Sequence, residues 1–390
     1  MNEILKIKSD HIITPDGEFD GVLHIQDGKI VDISNGACAS ADCLDYTGLY
    51  VSPGFIDIHT HGAGGHAFLN SSEEEVLLGC DFHLQHGTTT ILPTVSAAPF
   101  KEMYTSVSNI ANAMKSGKSS CNILGAHLEG PYLSAEQCGA QSSNHLTPPI
   151  KNDYECMVDE FGKYITRWTY APERDVDGDF CRFLIKNGIT PSIGHTEAKY
   201  SDVSLAIQNG CKLITHLYSC TSTVTRSKGF RSLGVIESAF LRDELFVEII
   251  GDGKHLPVEL VQMIVKIKGF DKVILITDSL EIAGTEIKCG KMGDTDFIVE
   301  DGVCKLKDRS AFAGSVATAD KMLSFMVREC GFDVVDVVRM MTKNPADILG
   351  INKGSLSVGY DADIVVFDKD FAVTDVFVSG KNIKYYKVSA

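Results

Sequence analysis

The sequence predicts an α/β fold: a (β/α)8 TIM-like barrel, with a small β-sandwich domain built from both chain termini. Three observations predict it. Short β-branched, apolar runs alternate with longer amphipathic stretches through the middle of the chain. The alternation repeats eight times, which favours a closed parallel barrel over the alternative, a doubly wound open sheet. Both chain ends, by contrast, carry strands and turns only.

The first fifty residues read as short strands. Val22-Leu23-His24-Ile25 and Ile30-Val31-Asp32-Ile33 flank the turn Gln26-Asp27-Gly28-Lys29, and an Asp-Gly turn between apolar runs is a hairpin signal. The eight central strands are predicted at 54–58, 88–92, 122–126, 165–170, 189–193, 212–215, 246–250 and 272–276. Helices are predicted from Glu73 to about His86, capped by Ser71 or Ser72, and over 100–114, 180–187 and 257–268. Runs 363–368 and 372–378, closed by the turn Ser379-Gly380-Lys381-Asn382, mirror the N-terminal pattern. The expected domains are residues 1–52 with 356–390 for the sandwich and 53–355 for the barrel.

Composition narrows the function. The 390 residues are 44% hydrophobic and 23% charged, enough for a sizeable core. A formal charge of -16 argues against a nucleic-acid or anionic-membrane surface and leaves room only for a local basic pocket. The start, Met1 to Lys6, lacks the apolar stretch of a signal peptide, and no apolar run reaches membrane-span length. The twelve cysteines form no C-x-x-C pair, so free thiols in a reducing cytoplasm are expected.

Chemistry-bearing residues cluster at the predicted strand ends. His59 and His61 follow the first strand, Glu129 the third, His195 the fifth, His216 the sixth and Asp278 the eighth. The C-terminal strand ends are the face where barrel enzymes place their active sites. Residues two apart in a strand point the same way, so His59 and His61 can reach one metal together. Imidazole and carboxylate suit zinc or iron(II). His-x-His alone arises easily by chance, and Asp278 alone reads as a helix N-cap; the force lies in the set.

These residues also carry a resemblance. Val51 to Gly62, with Ile58-His59-Thr60-His61, resembles the first-strand signature of the amidohydrolase superfamily. Gly125-Ala126-His127-Leu128-Glu129-Gly130-Pro131 resembles the segment with the metal-ligating glutamate in the N-acetylglucosamine-6-phosphate deacetylases. Gly194-His195-Thr196, Thr215-His216-Leu217, Asp252-Gly253-Lys254-His255, Thr277-Asp278 and Ala313-Gly314-Ser315 follow in that family's order. The resemblance implies a cytoplasmic homodimer or larger that removes acetyl from an amino-sugar phosphate. It implies one or two divalent ions, zinc or iron. Glu129, His195 and His216 would hold the main ion, with His59 and His61 beside a second. Asp278 would be the acid/base, and His255 would stabilise the oxyanion or fix the sugar. Arg231 would bind phosphate, with Arg226 and Lys228 as neighbours and rivals.

Departures from the family fall on the substrate side. Ser219-Cys220 replaces a usual Asn-Ala pair, Gln141 a common histidine with His145 nearby, and Ala67 an acidic residue. Gln141, His145, Ser219, Cys220, Arg231 and His255 are therefore the expected substrate contacts, and N-acetylgalactosamine 6-phosphate or another N-acyl amino sugar is an alternative substrate. The rival readings are another amidohydrolase, such as a cyclic-amide hydrolase or nucleobase deaminase, and a metal-free structural relative. The Glu129 segment weighs against the first, and the complete ligand set against the second.

Overall fold

The computed structural model describes residues 4–36, 38 and 43–383. The outermost residues of the expected terminal domain lie outside these. Eight parallel strands form the barrel: β1 (Phe55–Thr60), β2 (Thr88–Ser96), β3 (Ala126–Glu129), β4 (Ile165–Tyr170), β5 (Thr190–Ile193), β6 (Leu213–Ile214), β7 (Phe246–Ile250) and β8 (Val273–Ile276). Each pairs with the next in chain order. Closure occurs where β8 meets β1. The Asp278 N–H donates to His59 O and the His61 N–H to Ser279 O, both at 2.9 Å. Nearly every barrel-strand residue is buried, as strands covered on both faces require.

The third strand departs from its predicted span. The expected 122–126 run is broken: Asn122–Ile123 is a short strand that pairs with β2, and the strand that carries Glu129 starts only at Ala126. The break lies at Gly125, whose φ of +146° disfavours an L side chain. A Cβ there would also lie 2.3 Å from Thr166 Oγ1.

Helices α1 (Glu73–Gln85), α2 (Phe100–Ser116), α3 (Lys151–Phe161), α4 (Asp179–Lys186), α5 (Tyr200–Gln208), α6 (Val235–Leu241) and α7 (Val258–Lys268) each follow the strand of the same number. Ser72 rather than Ser71 caps α1: its hydroxyl accepts the Glu75 N–H while the Glu75 carboxylate accepts the Ser72 N–H. Between β8 and α8 (Ala319–Arg328) lies a four-stranded antiparallel insertion, Cys289–Met292, Thr295–Glu300, Val303–Leu306 and Phe312–Gly314. Its first strand is exposed or half-buried throughout and its last is only three residues long, so neither carries the apolar period that marks a strand in sequence.

The chain ends meet in one eight-stranded sheet. Leu5–Thr14, Gly17–Gln26 and Lys29–Ser34 form an antiparallel meander around the predicted Asp27-Gly28 turn. Tyr50–Pro53 pairs with Ile364–Phe367, which continues to Val373–Val378 and Lys381–Asn382. This sheet has its own apolar core, including Ile7, Leu23, Val51, Ile364 and Phe377.

Candidate active site

Four of the six predicted metal-site and acid/base residues, the histidines, surround the carboxylate of a fifth, Glu129. Glu129, 2% exposed at the end of β3, directs Oε1 to His195 Nε2 at 3.1 Å, His216 Nε2 at 3.0 Å and His59 Nε2 at 3.3 Å. Its Oε2 lies 3.2 Å from His61 Nε2. Asp278 Oδ1 stands 3.3 Å from His61 Nε2 and 3.6 Å from His59 Nε2. Two overlapping ligand groups result, His59–His61–Glu129 and Glu129–His195–His216. Sharp backbone turns aim three of these side chains: His195, His216 and Asp278 have φ of +47°, +28° and +47°.

Each ring is held from behind. His195 Nδ1 donates to Gln137 O at 2.9 Å and His216 Nδ1 to Ser219 O at 3.0 Å. A carbonyl oxygen only accepts, so each Nδ1 carries a proton, and in the neutral ring Nε2 is then the atom with the lone pair for a metal. His61 Nδ1 pairs with Ser96 Oγ at 2.9 Å. His127, from the same motif as Glu129, faces away from the carboxylate cluster: Thr94 and Thr169 hydroxyls take its nitrogens at 3.0 and 2.7 Å, and its ring packs edge-on against His59.

These donors fit a divalent cation. His195 Nε2 and His216 Nε2 are 3.1 Å apart and both face Glu129 Oε1; with both rings neutral, this arrangement of lone pairs repels itself unless positive charge, a proton or a cation, sits at its centre. His59 Nε2 is buried with no hydrogen-bond partner. Burial opposes a charge on His59, yet Glu129 and Asp278 pull its pKa up to about 10. Burial likewise disfavours charge on Glu129, and the surrounding imidazoles hold its carboxyl well below its ordinary range. A cluster that attracts cationic charge and offers nitrogen and oxygen donors is suited to zinc-type ions with ligand bonds of about 2.1 Å.

A cavity of about 260 Å³ opens above the cluster. Gln141, Ser219, Cys220 and His255 of the expected substrate contacts line it. Gln141 also braces Glu129: its Nε2 donates to Glu129 Oε2 at 2.5 Å while its Oε1 accepts the Ala97 N–H at 2.9 Å. His255 gives Nδ1 to Asp252 Oδ2 at 2.7 Å, leaving Nε2 for the cavity. Two expected contacts are not brought to the lining. His145 pairs with Asp294 at 2.8 Å, and Arg231 lies on the exposed hairpin Thr225–Ser227/Phe230–Ser232, opposite Arg226. Lys228, the other rival, sits in the exposed turn of that hairpin. The sequence reading did not place Tyr218, Ile250, Met292 and Phe312, the larger apolar side chains of the wall, at the site. Met292 and Phe312 come from the insertion, and no ligand-type signal marks them.

A (β/α)8 barrel with imidazole and carboxylate donors converging at its C-terminal strand ends defines a class, the metal-dependent barrel hydrolases. The chain belongs to the amidohydrolase family, whose model matches residues 50–383, and within it to the N-acetylglucosamine-6-phosphate deacetylases. It is 30% identical to the N-acetylglucosamine-6-phosphate deacetylase of Bacillus subtilis over 382 residues, 96% of this chain and 95% of that one. The Haemophilus influenzae enzyme of that name is 30% identical over 346 residues, 87% of each chain. The crystal structure of N-acetyl-D-glucosamine-6-phosphate deacetylase from Mycobacterium smegmatis superposes with a TM-score of 0.91 at 29% identity, over 97% of this chain and 100% of that one. No helix among the described residues is long and apolar enough to cross a membrane.

Proposed function

We propose that this protein hydrolyses the acetamide of N-acetylglucosamine 6-phosphate, giving glucosamine 6-phosphate and acetate. The observation that carries the reading is the convergence of Glu129 Oε1, His195 Nε2 and His216 Nε2 within 3.1 Å, beneath a small-molecule cavity and beside a second carboxylate, Asp278. Glu129, His195 and His216 hold the main ion, zinc or iron, and His59 with His61 and Glu129 forms the second set. Such an ion supplies Lewis acidity for the amide carbonyl and makes water more acidic.

The chain's own residues do the rest. Burial alone would raise the Asp278 carboxyl, but the charges of His59 and His61 hold it below its usual value, so it is ionised and ready to accept a proton. It takes the proton of the attacking water and delivers it to the departing amine nitrogen. His255, fixed through Nδ1 by Asp252, offers Nε2 to the carbonyl oxygen or a sugar hydroxyl. Gln141, Ser219 and Cys220 line the space for the sugar.

Arg231 is the proposed phosphate ligand, since a guanidinium binds phosphate with two parallel hydrogen bonds. Its position outside the cavity lining favours testing a second reading, an N-acyl amino sugar recognised without phosphate. Acetate release is measured on N-acetylglucosamine and N-acetylgalactosamine, each with and without the 6-phosphate. The proposal expects N-acetylglucosamine 6-phosphate to be the best substrate. Equal rates with and without phosphate would remove Arg231 from the mechanism and favour the second reading.

A further inference from the structure

Beneath the cluster, inside the barrel, lies an ion pair for which the chemistry above has no use. Arg167 on β4 and Glu248 on β7 are both fully buried. All five guanidinium N–H donors are engaged. Nε donates to Ser192 Oγ at 3.0 Å; Nη1 to Ile58 O at 3.0 Å and to Glu248 Oε1; Nη2 to Thr215 Oγ1 and Glu248 Oε2, both at 2.9 Å. The carboxylate is thus immobilised. Its Oε2 also accepts the His216 N–H at 3.3 Å and stands 3.6 Å from His59 Nδ1.

His59 is the exception among the four imidazoles. Ser96, Gln137 and Ser219 supply hydrogen-bond partners to Nδ1 of His61, His195 and His216. His59 Nδ1 is buried with no such partner, and the Glu248 carboxylate is what it faces. A carboxylate behind a metal-binding imidazole fixes the tautomer and raises ring basicity, and losing such a partner typically weakens metal binding about 10–100-fold.

We propose that the Arg167–Glu248 pair is a positioning device for His59: Glu248 accepts the Nδ1 proton, so that Nε2 points to the ion, and Arg167 holds Glu248 in place. This rests on the metal-centre reading above. It makes the strength of the first-strand subsite depend on residues 108 and 189 positions away in sequence.

The test is zinc affinity, read by competition with a chromophoric chelator, in Glu248→Gln and in the double variant Arg167→Met/Glu248→Leu. Glu248→Gln keeps a neutral acceptor; the double variant removes both charges and so leaves neither one buried alone. The ion that His59 touches is identified as the one lost in His59→Ala. For that ion the expected loss is about 10-fold in Glu248→Gln and up to about 100-fold in the double variant. The melting temperature of the metal-free double variant stays near that of the metal-free wild type, which separates positioning from simple destabilisation. Wild-type-like zinc affinity in either folded variant overturns the inference and leaves the metal centre standing. A wild-type protein that takes up no zinc or iron overturns the metal-centre reading and this inference with it.

Discussion

Asp278→Asn isolates proton transfer from metal binding. The side chain keeps its shape, and the backbone tolerates the change: at φ +47° Asn is, like Asp, among the residues that accept the left-handed region. The backbone bonds of Asp278, its N–H to His59 O at 2.9 Å, which helps to close the barrel, and the Ser315 N–H to its O at 2.8 Å, are unaffected. Asp278 stands outside the Glu129–His195–His216 group, so the main ion should remain. What disappears is the group that accepts and returns the proton. General acid/base catalysis contributes about 10²–10⁴-fold, or about 2.7–5.4 kcal/mol of barrier, so kcat should fall by that factor. Acetate release from N-acetylglucosamine 6-phosphate measures it, with elemental analysis of bound metal on the same sample. A kcat within threefold of wild type would refute the assignment. Loss of the main ion together with activity would show that Asp278 is a ligand rather than the proton acceptor.

Chelation should abolish activity and lower the melting temperature, with both restored by zinc or iron(II); an ion present at a thousand times its Kd stabilises the fold by about 4 kcal/mol, and an unchanged melt after complete metal removal would contradict the site. Gln141→Ala takes a donor from Glu129 Oε2 and strands the buried Ala97 N–H, the latter at about 1–3 kcal/mol, and should weaken metal retention as well as stability; normal metal content would separate Gln141 from the centre. Trp168, the chain's single tryptophan, is buried against Tyr132 and donates to Gly130 O at 2.8 Å, so Trp168→Ala should cost about 3–5 kcal/mol in denaturant unfolding followed by circular dichroism. Lys353 bridges Asp361 and Asp363 at 2.8 and 2.7 Å. Burial lowers the Lys353 pKa, but the Asp363 and Asp361 charges raise it overall; burial raises the Asp361 pKa, but Lys29 and Lys353 lower it overall. The lysine's contribution is therefore full below its ordinary 10.5 and lost as pH rises through its raised value, while that of Asp361 is full above its ordinary 3.8 and lost as pH falls through its lowered value. Lys353→Met should lower stability by about 1–3 kcal/mol at pH 7, and thermal melts should show the deficit shrinking in strong acid.

The ligand types and their strand ends were legible because barrel geometry repeats. A short β-branched run gives the strand, and the residue just past it gives the rim. Period two also places His59 and His61 on one side. Glu129 was found although the predicted third strand ended three residues early, because its place after that strand mattered more than the strand's limits. The insertion over 289–314 was not legible, since strands this short and unevenly buried carry no clear apolar period. Nor was the whole cavity wall, because Met292 and Phe312 are ordinary apolar residues until a fold sets them over a cavity.

By itself, then, the sequence determined the eight-strand alternation, the β-rich ends and the residues able to bind a metal, since these follow from local patterns of size and polarity. Tertiary structure alone decided which atoms face each other. Asp278 meets His61 only because β8 closes against β1, across 217 residues. Arg167 meets Glu248 only inside the closed barrel, where two buried charges require one another. Which nitrogen each imidazole offers to the ion depends on the partner behind the ring; Ser96, Gln137 and Glu248 are set by distant segments, and of the four rings only His216 finds its partner nearby, in Ser219 three residues on.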